Sequence, residues 1–335
     1  MKRLSGSRDA SCLRDFVVNL FLMTNKIAII GAGSVGATIA YACMLRGVAN
    51  HLSIYDVNKA KVDSQVLDLN HGLQFVPMAT IEGSDDIAVC ADARVIVITA
   101  GAKQKAGQTR MDLAEANAAI CRALVPQLMR VSPDAVLLLV TNPVDVVTYI
   151  AYKLSGLPRE RVLGSGTVLD SSRFRCLIAK RLKVAVQNVH AYIAGEHGDS
   201  EIPLWSSASI ANIPLHEWAV MHHGKLSVMD RTEIFQNVKE AAQQIIAGKG
   251  ATNYAIGLAT AKILEAVVKD ENRVLPVSSL VQNWRGIDDV CMSLPRIVSA
   301  KGVEAPLPVP VNANEESGLK NSAETIRAAI KKLGF

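Results

Sequence analysis

The sequence lacks charge blocks and long apolar runs and has few aromatic rings, and each shortage closes off a class of function. Aromatic residues make up 4% of the chain, too few to furnish stacking platforms for single-stranded nucleic acid. The net charge is only +5 and its cations are scattered, which argues against nucleic acid as a partner. No apolar run approaches the roughly 20 residues needed to span a bilayer, so no membrane role is expected. Cys12, Cys43, Cys90, Cys121, Cys176 and Cys291 form no CxxC pair. Such spacing suits reduced thiols in a cytoplasmic protein and gives neither a disulfide framework nor a metal site. There is no internal repeat and no low-complexity linker.

What is present is a rhythm. Residues 1–22 read as an extension: Lys2 and Arg3 precede a short apolar stretch, Phe16–Leu22, broken by Asn19 and followed by no small-residue cleavage site. After Met23, nearly continuous apolar runs (Ile27–Ile30, Leu52–Tyr55, Val95–Ile98, Val136–Val140) alternate with amphipathic stretches at Val35–Leu45, Ala60–Leu69, Asp112–Arg130 and Val144–Leu154. Runs of the first kind suit strands buried on both faces, and the alternation predicts a doubly wound, Rossmann-type parallel sheet over residues 23–165. Beyond Ser165 the pattern changes to longer helices near Ser171–Leu182, Arg231–Ala247 and Tyr254–Lys269. Strands Val189–Ile193 and Val274–Val281 lie among them, with a last helix at Ser322–Leu333. Residues 166–335 therefore read as an α+β substrate domain in an α/β protein.

The first strand runs into Gly31-Ala-Gly33-Ser-Val35-Gly36, a G-x-G-x-x-G turn opening a helix. Glycines there permit a tight turn and close approach of a pyrophosphate, whose charge the helix N-terminus receives. Alone the motif is weak. Asp56, however, ends the second strand 20 residues after Gly36, where an acid hydrogen-bonds ribose hydroxyls and repels a 2′-phosphate. The combination points to NAD.

Two further segments carry chemistry. His197, in Gly195-Glu-His197-Gly-Asp199, has a side chain suited to proton transfer near neutral pH. It needs a carboxylate to fix its tautomer, and Asp170 is the candidate. Asp170 and Arg173 share a helix face, and the Arg173 guanidinium suits a substrate carboxylate. The plainer reading of Asp170 is a helix cap, and that of a lone His beside glycines a surface residue. The glycine-bearing stretch from Thr99 to Arg110 has the profile of a mobile lid, placing Arg110 to polarise a carbonyl. Asn142, ending another strand at the same edge, is placed to orient substrate or nicotinamide.

Together the segments GAGSVG, AGAKQKAGQTR, VTNPVD, GSGTVLDSSRFR and GEHGDSE resemble the L-lactate/malate dehydrogenase family, over about Thr24 to Leu333. The resemblance implies His197 as proton donor and acceptor, Asp170 as its partner, Arg110 as lid polariser and Arg173 as carboxylate clamp. It also implies that Asn142, Ser165 and the Val140 backbone hold nicotinamide or substrate, with Ile256 near the ring. Gln104 stands where the family's malate enzymes carry an Arg for a second carboxylate. A neutral residue there favours pyruvate and L-lactate, because an unpaired, desolvated carboxylate costs on the order of several kcal/mol; Thr252 also matches the lactate branch. Lys103 and Lys105 flank Gln104, so a malate enzyme stays open, as does a non-catalytic NAD-binding protein. Ala106 replaces a Pro common at this lid position in bacterial relatives, which relaxes a backbone constraint. Arg175 and His190 resemble the paired cationic site at which bacterial relatives bind fructose 1,6-bisphosphate. The family implies a homotetramer serving pyruvate fermentation.

Overall fold

The computed structural model describes residues 25–102, 110–221 and 226–335, leaving aside the side chains at 110 and 219. The extension at 1–22 and the lid positions 103–109, including Gln104 and Ala106, lie outside the described residues.

One nine-stranded sheet organises the chain. Its parallel part consists of β1 (Lys26–Ile30), β2 (His51–Tyr55), β3 (Thr80–Ser84), β4 (Val95–Ile98), β5 (Val136–Leu139) and β6 (Val162–Gly164), in the order β3-β2-β1-β4-β5-β6. Three antiparallel strands from the second half, β12 (Arg273–Val281), β13 (Val290–Ser299) and β14 (Gly302–Pro306), continue the same sheet beyond β6. Between β6 and β12 lie the two-residue strands β7 (Val189–His190), β8 (Ile193–Ala194), β9 (Ile202–Pro203), β10 (Ser209–Ile210) and β11 (Ile213–Pro214). The helices are α1 (Ser34–Arg46), α2 (Lys59–His71), α3 (Arg110–Val131), α4 (Val144–Ser155), α5 (Val168–Leu182), α6 (Leu215–Met221), α7 (Val228–Lys249), α8 (Tyr254–Val268) and α9 (Ala313–Lys332).

The two-residue period of a strand explains why this sheet is buried on both faces. Ile27, Ile29, Val95, Val97, Val136 and Leu138 join one core with Ile39 of α1 and Leu264 of α8. The alternate residues Ala28, Ile30, Ile96, Ile98, Leu137 and Leu139 join the other, with Val125 of α3, Ile150 of α4 and Ile326 of α9. A third, smaller core gathers Phe174 and Ile178 of α5 with Val189, Ile193, Ile210 and Val238. Strand order reverses between β1 and β4, so their carboxyl ends diverge into a crevice, the position where open α/β sheets bind ligands.

The structure departs from the sequence reading in particular places. The run Val189–Ile193 is not one strand: β7 pairs with β10, whereas β8 pairs with β9, so the chain changes sheets within it. An apolar run marks burial but not the partner, and the switch leaves no periodic trace. The last helix begins at Ala313, not near Ser322, capped by Asn312 and Glu315 in a capping box. Its first half holds the poor helix former Gly318, where Ile202 Cδ1 would meet an added Cβ at 2.6 Å. Packing, not propensity, sets that boundary.

Gly36 joins fold to site. A Cβ there would lie 1.9 Å from the Gly31 carbonyl oxygen, so the backbone must separate if any side chain is added. Gly36→Ala is expected to destabilise the protein by about 1–3 kcal/mol and lower the melting temperature by several degrees, read by thermal unfolding.

Candidate active site

Two adjoining clefts lie at the carboxyl ends of the parallel strands. The larger, of about 760 Å³, is lined by Gly31, Gly33, Val35, Gly36, Asp56 and Val140 among others. The smaller, of about 230 Å³, is lined by Asn142, Asp170, Arg173, His197 and Glu201 among others. Asn142 and Leu113 line both, so a molecule in one reaches the mouth of the other.

The larger cleft fits a dinucleotide. Gly31 takes φ +108°, open to glycine at little cost, and α1 follows Gly33 without a side-chain cap or an acidic residue in its first turn. Its first amide groups are left for an anion. Asp56 Oδ2 accepts from the Ala32 amide (2.8 Å) and Lys61 Nζ (3.0 Å), and Oδ1 accepts from the Asn58 amide (3.0 Å). Partial burial works against its ionisation, but the amide donors and the Lys61 ammonium outweigh it and hold the carboxyl below the usual range. Asp56 thus stands ionised at the end of β2, oriented by the glycine turn.

The smaller cleft is built around one buried carboxylate. Asp170, 2% exposed, sits in the first turn of α5. It does not cap the helix; its Oδ1 accepts from Arg173 Nη1 (2.7 Å) and its Oδ2 from His197 Nδ1 (2.5 Å). Asp170 therefore fixes the imidazole with Nε2 as the nitrogen left over. Burial alone would push His197 down, but the charge and hydrogen bond of Asp170 prevail and raise it to about 9. Asp170 is held below its usual range, its burial outweighed by His197 and Arg173. The backbone of His197 is tied as well: its amide donates to Asp145 Oδ2 (2.7 Å) in the first turn of α4.

Sequence reasoning missed Asp145 and Asn117. Asn117 of α3, 2% exposed, accepts from the Ala102 amide at the lid entrance (2.7 Å) and donates to the Asn142 carbonyl (2.6 Å). A single Asn inside a helical pattern has no sequence signal; only the VTNPVD segment hinted at Asp145. Other expected residues are not brought into either cleft among the described residues. Ser165, directly after β6, is buried with its amide on the Leu139 carbonyl, Thr252 adjoins the lining residue Ala251, and Ile256 packs on the core beside α1. Arg175 turns away from Arg173: its Nε donates to the Ala191 carbonyl (2.8 Å) and its guanidinium lies over the Tyr192 ring, with exposed His190 one residue before. Gln104 and the Arg110 side chain fall outside the described residues.

The electrostatic assignment has a direct check. Asp170→Asn removes the charge that does most to raise His197, so the imidazole pKa is expected to fall well below about 9, with burial then opposed only by the more weakly acting Asp145 and Glu201. A histidine-resolved NMR titration reads this. The stability linked to the raised His197 is present below pH 6.5 and lost as pH rises through about 9; in the variant that alkaline loss disappears.

Comparison with known proteins places this arrangement. Residues 25–164 match the lactate/malate dehydrogenase NAD binding domain and residues 167–334 the lactate/malate dehydrogenase alpha/beta C-terminal domain. The chain is 51% identical over 320 residues to an L-lactate dehydrogenase of Bifidobacterium animalis subsp. lactis, covering 95% of this chain and 100% of the relative. It is 46% identical over 309 residues to an L-lactate dehydrogenase of Acetivibrio thermocellus, covering 92% and 97%. A lactate dehydrogenase from a Medee basin deep-sea metagenome superposes with a TM-score of 0.90 at 38% identity, covering 93% of this chain and 99% of that one. The minor L-lactate dehydrogenase of Enterococcus mundtii gives 0.89 at 38% identity, covering 92% and 98%. The chain belongs to the lactate/malate dehydrogenase family.

Proposed function

We propose that the chain is an NAD-dependent L-lactate dehydrogenase interconverting pyruvate and L-lactate. The observation that carries this reading is the Asp170 carboxylate joining His197 and Arg173 in a small cleft that opens onto the glycine-lined one. The cofactor, when bound, supplies or accepts the hydride. The glycine turn and the α1 N-terminus would hold its pyrophosphate, and Asp56 its adenine ribose.

Arg173 binds the substrate carboxylate, sharing its guanidinium with Asp170. His197 Nε2 donates a proton to the carbonyl oxygen as the carbonyl carbon is reduced, and takes it back in the reverse direction. Asp170 holds the imidazole in the tautomer that this requires and offsets its positive charge. Arg110, at the start of α3, polarises the carbonyl, and Gln104 sets the preference for a monocarboxylate. Asn142, between the clefts, orients the reacting carbonyl against the nicotinamide, with Val140 lining the cofactor side. Ser165, Thr252 and Ile256 complete the surroundings by family resemblance.

The division at residue 165, a cytoplasmic location and a homotetrameric assembly in pyruvate fermentation belong to the same reading. Among the described residues, no helix is long and apolar enough to cross a membrane. Arg175 and His190 are proposed as the fructose 1,6-bisphosphate site, supported by Arg175 anchored one residue from exposed His190.

Three measurements test this. With NADH, kcat/KM for pyruvate is expected to exceed that for oxaloacetate by about a hundredfold or more, a difference of about 3 kcal/mol; a preference for oxaloacetate would assign the malate branch. His197→Asn should cut pyruvate turnover by about 10²–10⁴ while NADH binding, followed by its fluorescence, persists. Adding the bisphosphate should lower the pyruvate concentration at half-saturation, and an unchanged curve would remove Arg175 and His190 from that role.

A further inference from the structure

Glu201 has no part in the chemistry described so far, yet it faces the same cleft. It follows His197 by four residues in a turn closed by its own amide on the Gly198 carbonyl (3.2 Å). The residue is 4% exposed and lines the smaller cleft beside Asp170, Arg173 and His197. One ligand atom each from Asp170, His197 and Glu201 lie within 4.8 Å of one another. Among the described residues, Glu201 Oε1 is buried without a hydrogen-bond partner.

Those facts decide which protonation state fits. A carboxylate anion with a bare oxygen out of water loses far more solvation than the neutral acid does. Nor do the described residues offer Glu201 an unengaged cation. Arg173 and His197, on α5 and on the loop after β8, are both engaged by Asp170. Lys239 of α7 donates to the Asp199 carbonyl (2.8 Å). Glu196 is turned to Ser200 (2.6 Å), and Asp145 of α4 holds the His197 amide. Burial pushes the Glu201 carboxyl up and Asp170 adds repulsion, while His197, Lys239 and Arg173 pull back only in part, leaving it at about 8.

We propose that Glu201 is a positioning residue of the pyruvate reaction: a buried carboxylic acid whose proton keeps the cleft receptive to the substrate's carboxylate. The proposal rests on the function proposed above. Among the described residues, Arg173, His197 and Lys239 carry three positive charges and Asp170 and Asp145 two negative, so one monocarboxylate neutralises this group. Ionised Glu201 would leave the same complex with an uncompensated negative charge in a desolvated pocket. The productive state is therefore the one in which His197 and Glu201 both carry protons. The reaction takes its proton from His197 alone, and Glu201 keeps its own throughout.

The test is the pH dependence of kcat/KM for pyruvate at saturating NADH. In the wild type, two groups must hold protons, so log(kcat/KM) is expected to fall above pH 8 with a slope steeper than about one, approaching about two. Glu201→Gln, neutral at every pH, should fall with a slope of about one and exceed the wild type by about tenfold at pH 9.5, chiefly through a lower KM. Glu201→Met should show the same shallow slope. Equal slopes in wild type and both variants, or a change in kcat alone, would overturn the proposal. A measurement without substitution guards against a folding defect. Oxamate, a pyruvate-shaped monocarboxylate, should take up more than about one proton per site when it binds the wild-type NADH complex at pH 9. Uptake of one or fewer would overturn the proposal. A wild-type chain inactive on pyruvate overturns the function reading as well, whereas an active one with unchanged slopes overturns only the role of Glu201.

Discussion

The carboxylate of Asp170 holds two cations at once, and the rest of the site depends on that bridge. Both partners are largely out of water, where an isolated charge is costly and a paired, hydrogen-bonded one is tolerable. One oxygen for Arg173 and one for His197 leaves the guanidinium edge and the imidazole Nε2 turned to the same small cleft. The geometry follows from the helix: residues three apart on α5 share a face, so Asp170 and Arg173 meet without help from elsewhere. His197 comes from a different element, and its arrival gives the Asp170 carboxylate a second partner.

That arrival is arranged by ties to the backbone on either side of the imidazole. Gly195 makes an isolated bridge with Ser293 on β13, and the His197 amide rests on Asp145 at the start of α4. The neighbouring Asn142 carbonyl is held by Asn117 of α3. These contacts draw the loop bearing His197 to the end of a sheet whose first six strands build the cofactor cleft. Because β12–β14 continue that sheet, the two halves of the chain share a rigid frame. A rigid frame matters for a reaction in which small displacements of the reacting atoms are expensive.

Much of this was legible beforehand. The apolar runs of β1, β2, β4 and β5 announced a sheet covered on both faces, because strands with no exposed face have no polar period to show. The glycine turn and Asp56 were legible because chain geometry permits few alternatives there. The pairing of Asp170 with Arg173 was legible because helix periodicity makes it local. By contrast, β3 and β13, the break between β7 and β8, and the start of α9 were not, since each depends on a partner strand or packing surface distant in sequence. Ile202 filling the space above Gly318 is such a case.

The sequence by itself determined the strand–helix order, the glycine turn with its acid, and the residue types able to clamp a carboxylate and move a proton, all of which are encoded within short stretches of chain. Only the tertiary structure decided that His197 meets Asp170, that Asp145 and Asn117 hold the surrounding backbone, and that Glu201 is buried with a bare oxygen beside them. The reason is physical: solvation and Coulomb energies are set by what surrounds a group in space, and neither spacing nor periodicity records those surroundings.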